Sequence, residues 1–139
     1  MSRTGSWTVA LALGLALAGC GGGTTYTLRP VERTSGALGT LKTEKGDNEN
    51  TKLELVVRHM PEPGAIDPAF KTYVVWLRPA GAQDWKNMGA LRLNDQREGR
   101  LQAVTPHPQF DVQVTAEPES TVSLPSNAVI LTGQPGAQD

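Results

Sequence analysis

Between Thr51 and His59 apolar and polar residues alternate: Leu53, Leu55 and Val57 project to one side of an extended chain, while Lys52, Glu54 and Arg58 project to the other. Phe110, Val112, Val114 and Ala116 repeat the pattern against Asp111, Gln113 and Thr115. A chain with this period hides its apolar side only within a sheet that has one covered and one wet face, the arrangement of antiparallel sheets. No window of helical length keeps the i, i+3, i+4 pattern, so strands are expected to dominate.

Shorter runs extend the reading. Tyr26 and Leu28 open a strand that stops at Pro30, and Leu38 to Lys45 offers a second, followed by the turn-forming cluster Gly46-Asp-Asn-Glu-Asn50. Lys71-Thr-Tyr-Val-Val-Trp-Leu-Arg78 is apolar on both faces from Tyr73 to Leu77, as expected of a central strand covered on one side and partly on the other. Trp85 to Leu93 forms a strand weakened by Gly89. Asn94 to Gly99 is expected as a hairpin loop, with the glycine at a positive φ. Leu101 to Thr105 precedes the stop at Pro106-His107-Pro108, Glu117 to Ser126 makes a long polar loop, and Ala128 to Thr132 is a last strand.

Seven or eight short strands joined by turn residues predict an all-β fold, an immunoglobulin-like antiparallel β-sandwich spanning residues 26–133, with a barrel as the alternative. Residues 134–139 are expected as a frayed tail. Lys and Arg number 13 against 14 Asp and Glu, and no segment concentrates the basic residues, so nothing points to nucleic acid. The chain has 1 cysteine, which rules out an intrachain disulfide and a cysteine-based zinc site.

The surroundings of that cysteine explain it. Arg3 supplies a positive start, and Val9 to Gly19 is an apolar stretch ending in small residues. As a helix rising about 1.5 Å per residue it reaches only about half of a ~30 Å bilayer core, so residues 1–19 are expected to be an export signal and not a spanning anchor. Leu17-Ala18-Gly19-Cys20 resembles the lipobox of bacterial lipoproteins at every position. The resemblance implies a diacylglyceryl group on the Cys20 sulfur, cleavage before it and acylation of the new amine. Several chains hold durably where one does not, because each buried methylene contributes about 0.8 kcal/mol. Residues 20–25, with Gly21-Gly22-Gly23, are then a short flexible tether. Gly21 is not an aspartate, which by resemblance to enterobacterial sorting favours the outer membrane or cell surface over the inner membrane.

Four segments of the remainder resemble the extracytoplasmic C-terminal domain of anti-sigma-K-type factors. They are Lys71 to Arg78, Met88-Gly-Ala-Leu91, Phe110-Asp-Val-Gln-Val-Thr-Ala-Glu-Pro118 and Pro125-Ser-Asn-Ala-Val-Ile-Leu-Thr-Gly133. The likeness covers Tyr73 to Gly133, about half of the chain. It implies a β-sandwich outside the cytoplasm and no activity. The family's sigma-binding region and membrane helix have no counterpart here, and Glu119-Ser120-Thr121 replaces its Gly-Gly-Ser, so transcriptional control is not carried over.

Candidate sites are sparse. His59 and His107, with Glu62 or Asp111, supply metal-ligand atoms, but both histidines lie beside prolines at strand ends, where solvated loops explain them. Asp47, Asn48, Glu49 and Asn50 offer oxygen ligands for calcium without EF-hand spacing, and a solvated turn is the simpler account. Ser120, Ser123 and Ser126 sit in no nucleophile-elbow context, and Asp84, Asp95, Glu98 and Asp111 are scattered carboxylates. No catalytic site, cofactor or metal is expected. If Tyr73, Val75 and Leu77 face the core, Val74 and Trp76 face outward, and form either a partner-binding patch or, the favoured reading, a pair covered by the Pro61 to Phe70 loop. The expected role is that of a non-catalytic envelope lipoprotein, held to the membrane by lipid and displaying an interaction or structural domain. A sensory or ligand-binding module is the alternative.

Overall fold

The computed structural model describes residues 23–31 and 36–135. The expected signal, Cys20 and residues 136–139 lie outside the described residues. The described chain is all-β apart from two single turns, with strands β1 (Thr24–Pro30), β2 (Leu38–Lys45), β3 (Thr51–Arg58), β4 (Thr72–Pro79), β5 (Lys86–Leu91), β6 (Gly99–Thr105), β7 (Phe110–Glu117) and β8 (Val129–Gly133). A short helix, α1 (Pro63–Ile66), follows β3. β1 starts at Thr24, so Thr24 and Thr25, expected in the tether, already pair with Thr43 and Lys42.

The strands form one antiparallel sheet in the order β5-β4-β7-β8-β1-β2-β3-β6, folded over into two layers. One layer is built on β2-β3-β6, the other on β5-β4-β7-β8, and β1 joins them by pairing with β2 along most of its length and with β8 at Arg29 and Pro30. The crossings β3 to β4, β5 to β6 and β6 to β7 between layers give the Greek-key character of immunoglobulin-like sandwiches. Both expected alternatives are visible in this form. It is a sandwich whose free edges, β5 and β6, approach without pairing: a Cβ at Gly89 would lie 3.2 Å from Leu101 Cδ1.

The alternation read from the sequence sets the faces. Leu53, Leu55 and Val57 of β3 meet Leu28, Leu41, Tyr73, Val75, Leu77, Phe110, Val112, Val114, Ala116 and Leu131 in one core. Each such fully buried aliphatic side chain contributes about 1.5–3 kcal/mol relative to exposure. Leu28 is wedged where β1 changes partners: a Cβ at Gly133 would overlap Leu28 Cδ2, and one at Gly39 would lie 2.9 Å from Leu28 Cβ. Glycine on both flanks is what lets the two layers close around β1.

Two loop expectations are corrected. Asn94 to Gly99 closes tightly, with Asn94 N–H donating to the Glu98 carbonyl at 2.8 Å, yet β5 and β6 do not form a hairpin, because β6 pairs with β3 from Thr51↔Thr105 to Val57↔Gly99. The apolar face of β6 (Leu101, Ala103) is satisfied beside Leu55 and Leu53 and not beside β5. The positive φ in that loop belongs to Arg97 (59°), and the glycine there answers a steric need, since a Cβ at Gly99 would sit 3.1 Å from the Arg92 carbonyl oxygen. Pro135, placed in the expected frayed tail, is buried.

Candidate functional site

Trp76 and Val74 do project from the face of β4 opposite the core, but both are 0% exposed. A second buried layer lies on that outer face. Gln113, Thr115 and Glu117 of β7 come up beside them through the pairs Trp76↔Gln113, Val74↔Thr115 and Thr72↔Glu117. The Trp76 indole N–H donates to Thr115 Oγ1 at 2.8 Å, and Thr115 donates in turn to Glu117 Oε1 at 2.5 Å. Ser126 N–H donates to the same carboxylate oxygen at 2.6 Å, and Ser126 Oγ donates to the Ala116 carbonyl.

The chain over this layer is the loop after β7. Asn87, the cross-strand partner of Trp76 on β5, donates its amide hydrogens to the carbonyls of Ser120 and Val122, each at 2.9 Å. The loop is polar in composition, as expected, and its backbone carbonyls and Ser126 are what satisfy the layer. The segment expected to act as cover, Pro61 to Phe70, instead closes an end of the core, with Met60 and Pro63 buried and the Tyr73 hydroxyl donating to the Pro61 carbonyl at 2.6 Å. Burial, and next the nearby Glu62 carboxylate, push the Tyr73 phenol well above its ordinary value, so it stays protonated. Val74 and Trp76 are buried and offer a partner no surface in this arrangement, and the favoured reading of a covered pair differs from it in which loop lies over them.

The remaining candidates are separated by the register. His59 follows the end of β3 at Arg58, whereas His107 follows β6 at Thr105, which pairs with Thr51 at the other end of β3. The length of β3, roughly 23 Å at about 3.3 Å per residue, divides them. Asp111 is held by Arg78 at 2.8 Å, and Arg78 also stacks over the Trp85 ring at 4.5 Å from its centroid. Asp47 to Glu49 form an exposed turn between β2 and β3, closed by Gly46 N–H to the Asn50 carbonyl at 2.7 Å. Among the described residues no group of three or more His, Cys, Asp and Glu side chains converges as metal ligands would.

Two surface troughs lie on the outer side of the β2-β3-β6 layer. One, of about 330 Å³, runs over Lys42, Glu44, Lys52, Glu54, Gln102 and Val104. Its charges alternate across the strands, Lys42 beside Glu54 and Glu44 beside Lys52, and Gln102 donates to Glu54 at 2.7 Å, so the lysines have neighbouring counter-charges. The other, of about 400 Å³, is lined by Val56, Arg58, Arg92, Asn94, Glu98, Gly99 and Arg100. Its three arginines come from separate strands or loops, and no local pattern in the sequence announces them. No family model, curated protein or solved structure matches the chain.

Proposed function

We propose that this protein is a lipid-anchored envelope protein whose β-sandwich serves as a non-catalytic interaction or structural module. The observation that carries the reading is Leu17-Ala18-Gly19-Cys20 after an apolar stretch, followed within a few residues by the first strand of the domain at Thr24. A cysteine in that setting has a chemical role that an isolated thiol lacks, and Gly21-Gly22-Gly23 after it have the composition of a flexible linker. The described serines support a non-catalytic reading in one respect: the Ser126 hydroxyl is committed to the Ala116 carbonyl and the Ala128 N–H, holding the loop over Trp76.

The test is Cys20→Ala in the native host, read by labelling with a radioactive or alkyne-bearing fatty acid and by partitioning into the detergent phase. The wild-type protein takes the label and partitions with detergent, and the variant does neither. Equal partitioning of the two, or wild-type protein with Met1 to Gly19 still attached and a free thiol, refutes the anchor.

A further inference from the structure

The geometry points to the trough formed by Arg58, Arg92 and Arg100 as a binding site for a phosphate ester of a small polyhydroxy group.

Arg58 and Arg100 stand on the outer faces of β3 and β6, where Arg100 is the cross-strand partner of Val56, two residues before Arg58. Arg92 is the first residue past β5, and it reaches the same place because its carbonyl packs where Gly99 has no Cβ. The closing of the sandwich edge therefore assembles the cluster. Arg58 and Arg92 make no ion pair among the described residues, and Arg100 approaches only Glu54, at 3.9 Å with its own side chain 65% exposed. Arg58 and Arg92 thus keep their donors unspent, in a chain that carries slightly more acid than base. Two guanidiniums without an ion pair and a third 3.9 Å from a single carboxylate line one trough, and guanidiniums match the oxygens of a phosphate, which accept several parallel N–H bonds.

The other two polar groups of the wall narrow the ligand. Glu98 is a carboxylate, which repels a bare anion but accepts from hydroxyl groups. Asn94 uses its side-chain oxygen to accept from Gln96 and Glu98 N–H, at 3.0 and 2.9 Å, leaving its amide hydrogens to donate outward. Arginines for a phosphate beside a carboxylate and an amide for hydroxyls describe a phosphorylated polyol, and about 400 Å³ accommodates one. The trough lies at the end of the sandwich where β3 finishes, opposite the end where the chain enters β1 at Thr24.

The same chemistry occurs in a soluble or polymeric glycerol phosphate and in a phosphatidylglycerol headgroup, so the experiment carries both. Residues 20–139 without lipid, labelled with nitrogen-15, are titrated with glycerol 3-phosphate, with glycerol and with inorganic phosphate, and are sedimented with phosphatidylglycerol or phosphatidylcholine vesicles. Saturable shifts confined to residues around Arg58, Arg92 and Asn94 to Arg100 are expected with glycerol 3-phosphate, weaker with inorganic phosphate and absent with glycerol. R58Q and R92Q each weaken binding about tenfold, the loss of one charge-assisted hydrogen-bonding group, at unchanged melting temperature. Sedimentation with phosphatidylglycerol alone, lost in both variants, assigns the ester to a lipid, and saturation by the soluble ester without sedimentation assigns it to a free or polymeric one. The proposal is overturned if neither probe binds, if shifts spread equally to Lys42 and Lys52, or if R58Q and R92Q bind as wild type does.

Discussion

Thr115→Val tests whether the buried layer over β4 is held by its hydrogen bonds or merely filled. The exchange keeps the shape of the side chain and removes one hydroxyl, which both accepts from Trp76 Nε1 and donates to Glu117. Trp76 is 0% exposed, so its N–H is left without water or partner, at a cost of about 1–3 kcal/mol. Glu117 loses one charge-assisted donor but keeps Ser126 N–H, so the whole effect is about 3 kcal/mol. Trp76→Phe removes the donor itself and some volume, for about 1–2 kcal/mol. In the double variant no orphaned N–H remains, so its loss falls short of the sum of the single losses by about 1–2 kcal/mol. Urea unfolding followed by far-ultraviolet circular dichroism, with unchanged denaturant slopes, measures all three. Single effects that add within about 0.3 kcal/mol mean that the indole and the hydroxyl are not coupled, and the account of this layer fails.

Three further outcomes follow from the same structure. Val114→Asp places a carboxylate at a 0% exposed position in the core and costs several kcal/mol, enough to leave the domain unfolded at room temperature, and a near-wild-type melting curve would mean that the faces of β7 are reversed. Gly133→Ala drives a methyl into Leu28, which is itself backed by Gly39, and lowers stability by about 2 kcal/mol, while Leu28→Val in the same chain recovers part of the loss; an unchanged melting temperature counts against the wedge. The raised pKa of Tyr73 makes folding favour the protonated phenol, so its contribution is complete below the unfolded value of about 10 and is lost as pH rises above it. Stability of the wild type should thus fall more steeply above that pH than stability of Tyr73→Phe, and parallel curves would show that Tyr73 ionises freely in the folded chain.

Much of the architecture was legible because a strand with one covered face must alternate. Leu53-Leu55-Val57 and Phe110-Val112-Val114-Ala116 announced their own faces, and Tyr73 to Leu77 announced burial on both sides. The partners of those strands were not legible. Nothing near Asn94 states that β6 will pair with β3 across nearly fifty residues of chain, since Asn94 to Gly99 has the composition of an ordinary hairpin loop. The cover over Trp76 was misplaced for a related reason. The loop from Pro118 to Ser126 is polar, and it is the carbonyls of Ser120 and Val122, which every residue type possesses, that lie over Asn87 beside it.

Period, turn composition and a cysteine after small residues thus determined the class of fold, the faces of its strands and the expectation of an anchor, because each depends on residues within one strand length of each other. Pairing order, the enclosed Trp76 layer and the meeting of Arg58, Arg92 and Arg100 were decided only in three dimensions. Hydrogen-bond ladders join strands regardless of side-chain identity, so which distant charges become neighbours is a consequence of register, and register is selected by the whole core at once.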